Sequence, residues 1–115
     1  MELKELMELA EMVRVAKFEE LCARRLLIDV AESLEIVKAI ALSGAYKDGT
    51  IDGKNAEVRK QQEAAFLAAH ENVIQATISV AKAQDDADST IAKLAGVEAR
   101  YGLIKAWLYS QTKIG

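Results

Sequence analysis

Residues 66–108 read FLAAHENVIQATISVAKAQDDADSTIAKLAGVEARYGLIKAWL. Apolar residues return through this stretch at steps of three and four: Phe66, Ala69, Val73, Ala76, Val80, Ala83, Ala87, Ile91, Leu94, Val97, Tyr101, Ile104 and Leu108. Those twelve steps cover 42 residues, a mean of 3.5, which is the period of a left-handed coiled-coil seam. The pattern predicts a long helix whose apolar stripe needs a partner. The segment Gln84-Asp85-Asp86-Ala87-Asp88-Ser89-Thr90 is polar, and each Asp costs ~0.5–0.7 kcal/mol against Ala in a helix. It contains no Gly or Pro, however, and Ala83, Ala87, Ile91 and Leu94 stay in phase across it. A chain reversal would have no reason to preserve that phase, so one continuous helix over about 54–112 is expected. The alternative is a three-helix bundle with a break near 84–90.

Working back from this stretch, a loop precedes it: Ser43-Gly44-Ala45-Tyr46-Lys47-Asp48-Gly49-Thr50-Ile51-Asp52-Gly53-Lys54-Asn55, with two Asp-Gly pairs. Asp-Gly supplies the positive φ of tight turns. Gly49 is the expected stop for a first helix, Asp52 or Asn55 the expected cap of the next, and Ile51 an apolar plug between them. Ahead of the loop, Leu6, Leu9, Val13, Ala16, Ala23, Leu27, Val30, Leu34, Val37 and Ala41 form another seam, in which Glu20 takes one place. A second row, Ala10, Leu21, Ile28, Ala31 and Ile40, widens the stripe beyond what one neighbour needs. Glu2, Glu5, Glu8 and Glu11 suit the positive end of the helix dipole.

The expected fold is therefore all-α. It is an antiparallel helical hairpin of two long helices, about 2–46 and 54–112, forming a single domain over 1–115 and assembling as a coiled-coil or four-helix oligomer. At 1.5 Å per residue the helices would measure ~65 and ~90 Å. The second would then overhang the first by roughly ten to fifteen residues. That tail holds Tyr101, Leu103, Ile104, Ala106, Trp107, Leu108 and Tyr109, too apolar to stand in water uncovered. Gly96 and Gly102 each cost ~1 kcal/mol in a helix interior, a cost that close helix approach can recover. The expected oligomer or partner interface is Ala95, Gly96, Ala99, Tyr101, Gly102, Ile104, Trp107, Leu108 and Tyr109.

Composition bounds the function. The chain has 115 residues, no proline, a hydrophobic fraction of 51% with 5% aromatic, and net charge −3. Residues 1–46 carry nine acids and six bases, and residues 47–115 carry nine of each. Neither part has the uncompensated Lys/Arg row of broad nucleic-acid binding. Cys22 is the single cysteine, which excludes an intrachain disulfide framework and points to a reducing compartment. The N-terminal acids do not resemble a signal peptide, and no stretch approaches the ~20 apolar residues of a membrane span. A cytoplasmic protein is expected.

No catalytic, cofactor or metal residues are expected. Gly49-Thr50-Ile51-Asp52-Gly53-Lys54-Asn55 has three residues between glycines where a phosphate-binding loop has four, and Asn55 where that loop has Ser or Thr. His70 is the sole histidine and lacks companions at metal-ligand spacing. Asp85, Asp86 and Asp88 lack the glycine and distal Glu of a calcium hand. Arg24, Arg25, Lys54, Arg59 and Lys60 are candidate anion contacts, should an oligomer bring them together.

The segment Gly53-Lys54-Asn55-Ala56-Glu57-Val58-Arg59, followed by alanine-rich heptads, resembles small helical-hairpin proteins of bacteriophages and prophages, which show a Gly-Lys-Asn-Ala-Glu-x-Arg segment opening a long helix. The resemblance implies a phage or prophage origin, hence a bacterial host cytoplasm, and a helical hairpin. It implies no activity. The leading expectation is a non-enzymatic, homo-oligomeric protein that binds a host or phage protein and modulates a host process. The alternative is sequestration of a phosphate-bearing ligand such as a nucleotide signal, or nucleic-acid binding, through the basic residues.

Overall fold

A computed structural model of the chain describes residues 3–114. It is all-helical. Helix α1 runs Leu3–Lys47, α2 Ala56–Ala69 and α3 Glu71–Ile114, with no strand among the described residues. Glu2, the expected start of the first helix, lies outside them. Contacts divide the chain into two units: the first takes the residues up to Arg25 with those from Asp85 onward, and the second takes Leu26–Gln84.

In the first unit, early α1 packs against late α3 around Leu9, Ala16, Ala87, Leu94 and Ile104. Glu19 accepts from Lys93 at 3.0 Å, while Met12, Val15 and Ala16, earlier in α1, share a groove with Val97, one turn later in α3, as well as with Lys93. Earlier residues of one helix thus meet later residues of the other, and the pair is antiparallel. The covered positions of α3 here are Ala87, Thr90, Leu94, Val97, Tyr101, Ile104 and Leu108, a strict alternation of three and four. Thr90 holds the seam position expected of Ile91, which is exposed. The alternation set by Ala87 and Leu94 reaches 90 and not 91, and the Thr90 hydroxyl is satisfied by donating to the Ala87 carbonyl at 2.8 Å. Residues 84–90 are helical, so the break considered there is absent.

The second unit holds the rest of α1, the connection, α2 and the start of α3, around Ala41, Ala45, Ile51, Val73 and Ala83. The single helix expected over 54–112 is interrupted, but at His70. There the backbone turns extended (φ −80°, ψ 121°), and its N–H closes a three-residue turn by donating to the Leu67 carbonyl at 3.3 Å. The next helix begins at once, with the Ile74 N–H donating to the His70 carbonyl at 2.9 Å. No Gly or Pro marks the place. At the break the Phe66 and His70 rings lie 5.4 Å apart, and both line a groove with Val37, Ala41 and Ala45. His70 thereby enters the seam in place of Ala69, which is exposed.

The connection also corrects the expected overhang. Gly49 is left-handed at φ 82°, after α1 has closed with the Asp48 N–H on the Gly44 carbonyl. Residues beyond it do not reverse in one tight turn. The Ile51 N–H returns to the Ala45 carbonyl at 3.2 Å, and its side chain is buried. Asp52 and Gly53 then lie beside the second turn of α2, bonded to Gln62. The Tyr46 hydroxyl at the end of α1 donates to Glu63, so α1 ends level with residue 63. The turns of α2 before Glu63 therefore extend past α1. The C-terminal turns of α3 are not a bare tail: Ile104 is buried and Tyr101 and Leu108 are half-buried.

Candidate functional site

Alanine, the best helix former, recurs in the last part of α3 at Ala92, Ala95, Ala99 and Ala106. The helix carries two stripes. The inner one is the seam within the first unit. The outer one is Ala92, Ala95, Ala99, Gly102 and Ala106, all exposed and again spaced three, four, three, four. A helix with apolar or small residues on both sides is suited to two neighbours. Leu103, Trp107 and Tyr109 are exposed beside the outer stripe, Leu103 at 74% of its full area.

A Cβ added at Gly96 or at Gly102 would meet nothing within 4 Å. The chain's own packing gives no reason for either glycine, and each costs ~1 kcal/mol relative to Ala.

The expected interface residues divide accordingly. Tyr101, Ile104 and Leu108 belong to the inner seam, while Ala95, Gly96, Ala99, Gly102, Trp107 and Tyr109 are exposed. Ala106 and Leu103, expected in the apolar tail, lie on the outer face as well, and Ala92 joins them without having been expected. Their signal was in the sequence as a second heptad row, visible once the inner row is assigned. On α1, Leu3, Met7, Phe18 and Leu21 are also exposed in the first unit, and the second apolar row is uncovered at Ala10, Leu21, Ile28 and Ile40.

The candidate anion contacts fall in different units: Arg24 and Arg25 in the first, Lys54, Arg59 and Lys60 in the second. Arg24 pairs with Glu20 one turn away. Arg59 donates to the Gly53 carbonyl at 3.3 Å. Asn55 caps α2 by accepting from the Val58 N–H at 2.9 Å. Gln62 accepts from the Gly53 N–H at 2.8 Å and donates to Asp52 at 3.0 Å. A Cβ on Gly53 would lie 2.8 Å from Val58 Cγ1 and 2.9 Å from both Arg59 N and Gln62 Oε1. The Gly-Lys-Asn-Ala-Glu-x-Arg segment therefore has a structural account: Gly53 admits the close approach, Asn55 starts the helix and Arg59 ties the loop to it.

Around the connection, donation to Glu63 raises the Tyr46 phenol above its ordinary value. The Thr50 hydroxyl and N–H hold the Asp48 carboxyl below its own. The His70 Nδ1 is buried without a partner, beside a groove of about 370 Å³ that Asp48 and Asn72 also line. Cys22 is exposed. Among the described residues no group of three His, Cys, Asp or Glu side chains could hold a metal, and no helix is long and apolar enough to cross a membrane.

No known protein family, curated protein or solved structure matches this chain.

Proposed function

We propose that this chain acts by binding other protein chains, itself included, and not by catalysis. The observation that carries this reading is its uncovered apolar surface. The accessible area is 8360 Å² for 12.6 kDa, against roughly 6,200 Å² for a typical folded monomer of that mass. The difference exceeds the ~800 Å² that one partner contributes to a standard protein interface. Among the described residues eighteen large apolar side chains are exposed, while the core has ten residues, half of them alanine. A chain that buries so little apolar surface on its own gains most from association.

In this reading α2 and α3 together form the returning arm of an antiparallel hairpin, and hairpins assemble through coiled-coil or four-helix contacts. The face of α1 bearing Met7 and Leu21 docks a host or phage protein in the bacterial cytoplasm, in keeping with the phage-like segment Gly53–Arg59. Sedimentation equilibrium of the full chain is the test. A mass at a multiple of 12.6 kDa is expected, and a monomer throughout the micromolar range overturns the reading. For the docking face, Leu21→Glu should abolish capture of the partner while leaving self-association intact.

A further inference from the structure

The outer face of α3 has a partner whose chemistry can be read from the face itself. We propose that it pairs antiparallel with the same face of a second copy of this chain, about a two-fold axis passing between residues 100 and 101. The proposal rests on the oligomeric reading above and specifies its contact surface.

Antiparallel pairing about that axis sets residues whose numbers sum to about 201 against each other. Ala99 then meets Gly102 of the second copy, and Ala95 meets Ala106. Small residues at these places let two helix backbones approach closely. On one flank Leu103, the most exposed large apolar side chain among the described residues, lies over Gly96 of the second copy, where no Cβ obstructs it. On the other flank Glu98, exposed, lies opposite Lys105 of the second copy. The two-fold axis repeats both contacts, so these residues find their complements on the same face of another molecule, as an isologous interface requires.

Charge selects the register. Sliding the two helices by one heptad in one direction sets Glu98 against Glu98, and in the other direction sets Lys105 against Lys105. Like charges across an interface disfavour both. A parallel pairing leaves both charges without an opposite. Within the chain nothing occupies the space beside Gly96 and Gly102, whereas in this pairing both glycines have a function.

Charge reversal tests the pairing. Sedimentation equilibrium would be run on wild type, Glu98→Lys, Lys105→Glu, the two single variants mixed in equal amounts, and the double variant. Each single variant places like charges across both symmetric contacts and is expected to associate at least about tenfold more weakly. The mixture should recover wild-type association. In a mixed pair the introduced lysine of one variant faces the introduced glutamate of the other, and the remaining Glu98 faces the remaining Lys105. The double variant should recover it too, because it exchanges the two charges and keeps them opposite. Circular dichroism verifies that the variants remain helical. Gly102→Leu provides a second measure: helix content should hold or rise while self-association falls. Wild-type association in the single variants, or no recovery on mixing, would overturn this pairing. If the wild type is still an oligomer then, the oligomeric reading stands and the face belongs to a different protein. A monomeric wild type would remove both.

Discussion

Gly53 and Gly44 show how one residue type serves opposite ends in this chain. A side chain at Gly53 would collide with Val58, the Arg59 backbone and Gln62, whereas Gly44 lies within α1 with open space beside it. Gly53→Ala should cost about 1–3 kcal/mol by forcing the loop off α2. Gly44→Ala should add up to ~1 kcal/mol by relieving the helix of glycine's entropy. Urea denaturation of both variants reads the two signs directly. Two ionisable groups beside the same connection give a pH signature. The Tyr46 phenol is raised from 10.0, chiefly by its bond to Glu63. Its contribution is therefore complete below pH 10 and is lost as pH rises through the raised value. Asp48 is lowered from 3.8 by the bonds from Thr50, so its contribution is present above that value and is lost as pH falls. The stability gap between wild type and Tyr46→Phe should accordingly be flat from neutral to about pH 9 and shrink in stronger alkali.

At the scale of the element, α3 is the informative helix because its two stripes have different consequences. Leu94 is in the buried seam and Ile91, one turn before it, is exposed. Leu94→Ala should cost about 2–5 kcal/mol in thermal or urea unfolding. Ile91→Ala should cost under ~1 kcal/mol. Equal losses would mean that the seam follows Ile91 and not Thr90. Asp85, Asp86 and Asp88 are tolerated because Ala83, Ala87 and Thr90 are the seam positions around them, all three covered. Packing on that side outweighs a propensity deficit of ~0.5–0.7 kcal/mol per Asp. The start of α2 rests on one cap, and Asn55→Ala should destabilise it by about 1 kcal/mol, visible as a lower melting temperature.

For the whole molecule the controlling quantity is apolar surface left in contact with water. The core residues of the two units are few and small, and the area of 8360 Å² leaves ample surface for a standard interface. Stability should therefore be tied to protein concentration. The melting temperature is expected to rise with concentration over the micromolar range, because assembly favours the folded state by mass action. A melting temperature independent of concentration would mean that the folded chain does not self-associate.

The sequence alone was sufficient for everything that depends on periodicity and on turn chemistry. The first apolar row of α1, the row of α3 apart from Ala69 and Ile91, the helicity of residues 84–90, the stop at Gly49, the cap at Asn55 and the plug at Ile51 all follow from local spacing and local bonding, and the structure has each of them. What it could not contain was the outcome of competition between distant groups. The break at His70 has no Gly or Pro to announce it, and it lies where Phe66 and His70 meet residues of α1 far away in sequence. The placing of the overhang at α2 shows only where Gln62 bonds the folded-back loop and Glu63 bonds Tyr46 at the end of α1. The separation of a buried seam from an uncovered face on α3 required knowing where α1 lies. Periodicity states that a helix has a side to bury, and only tertiary packing decides which of two such sides is used within the chain.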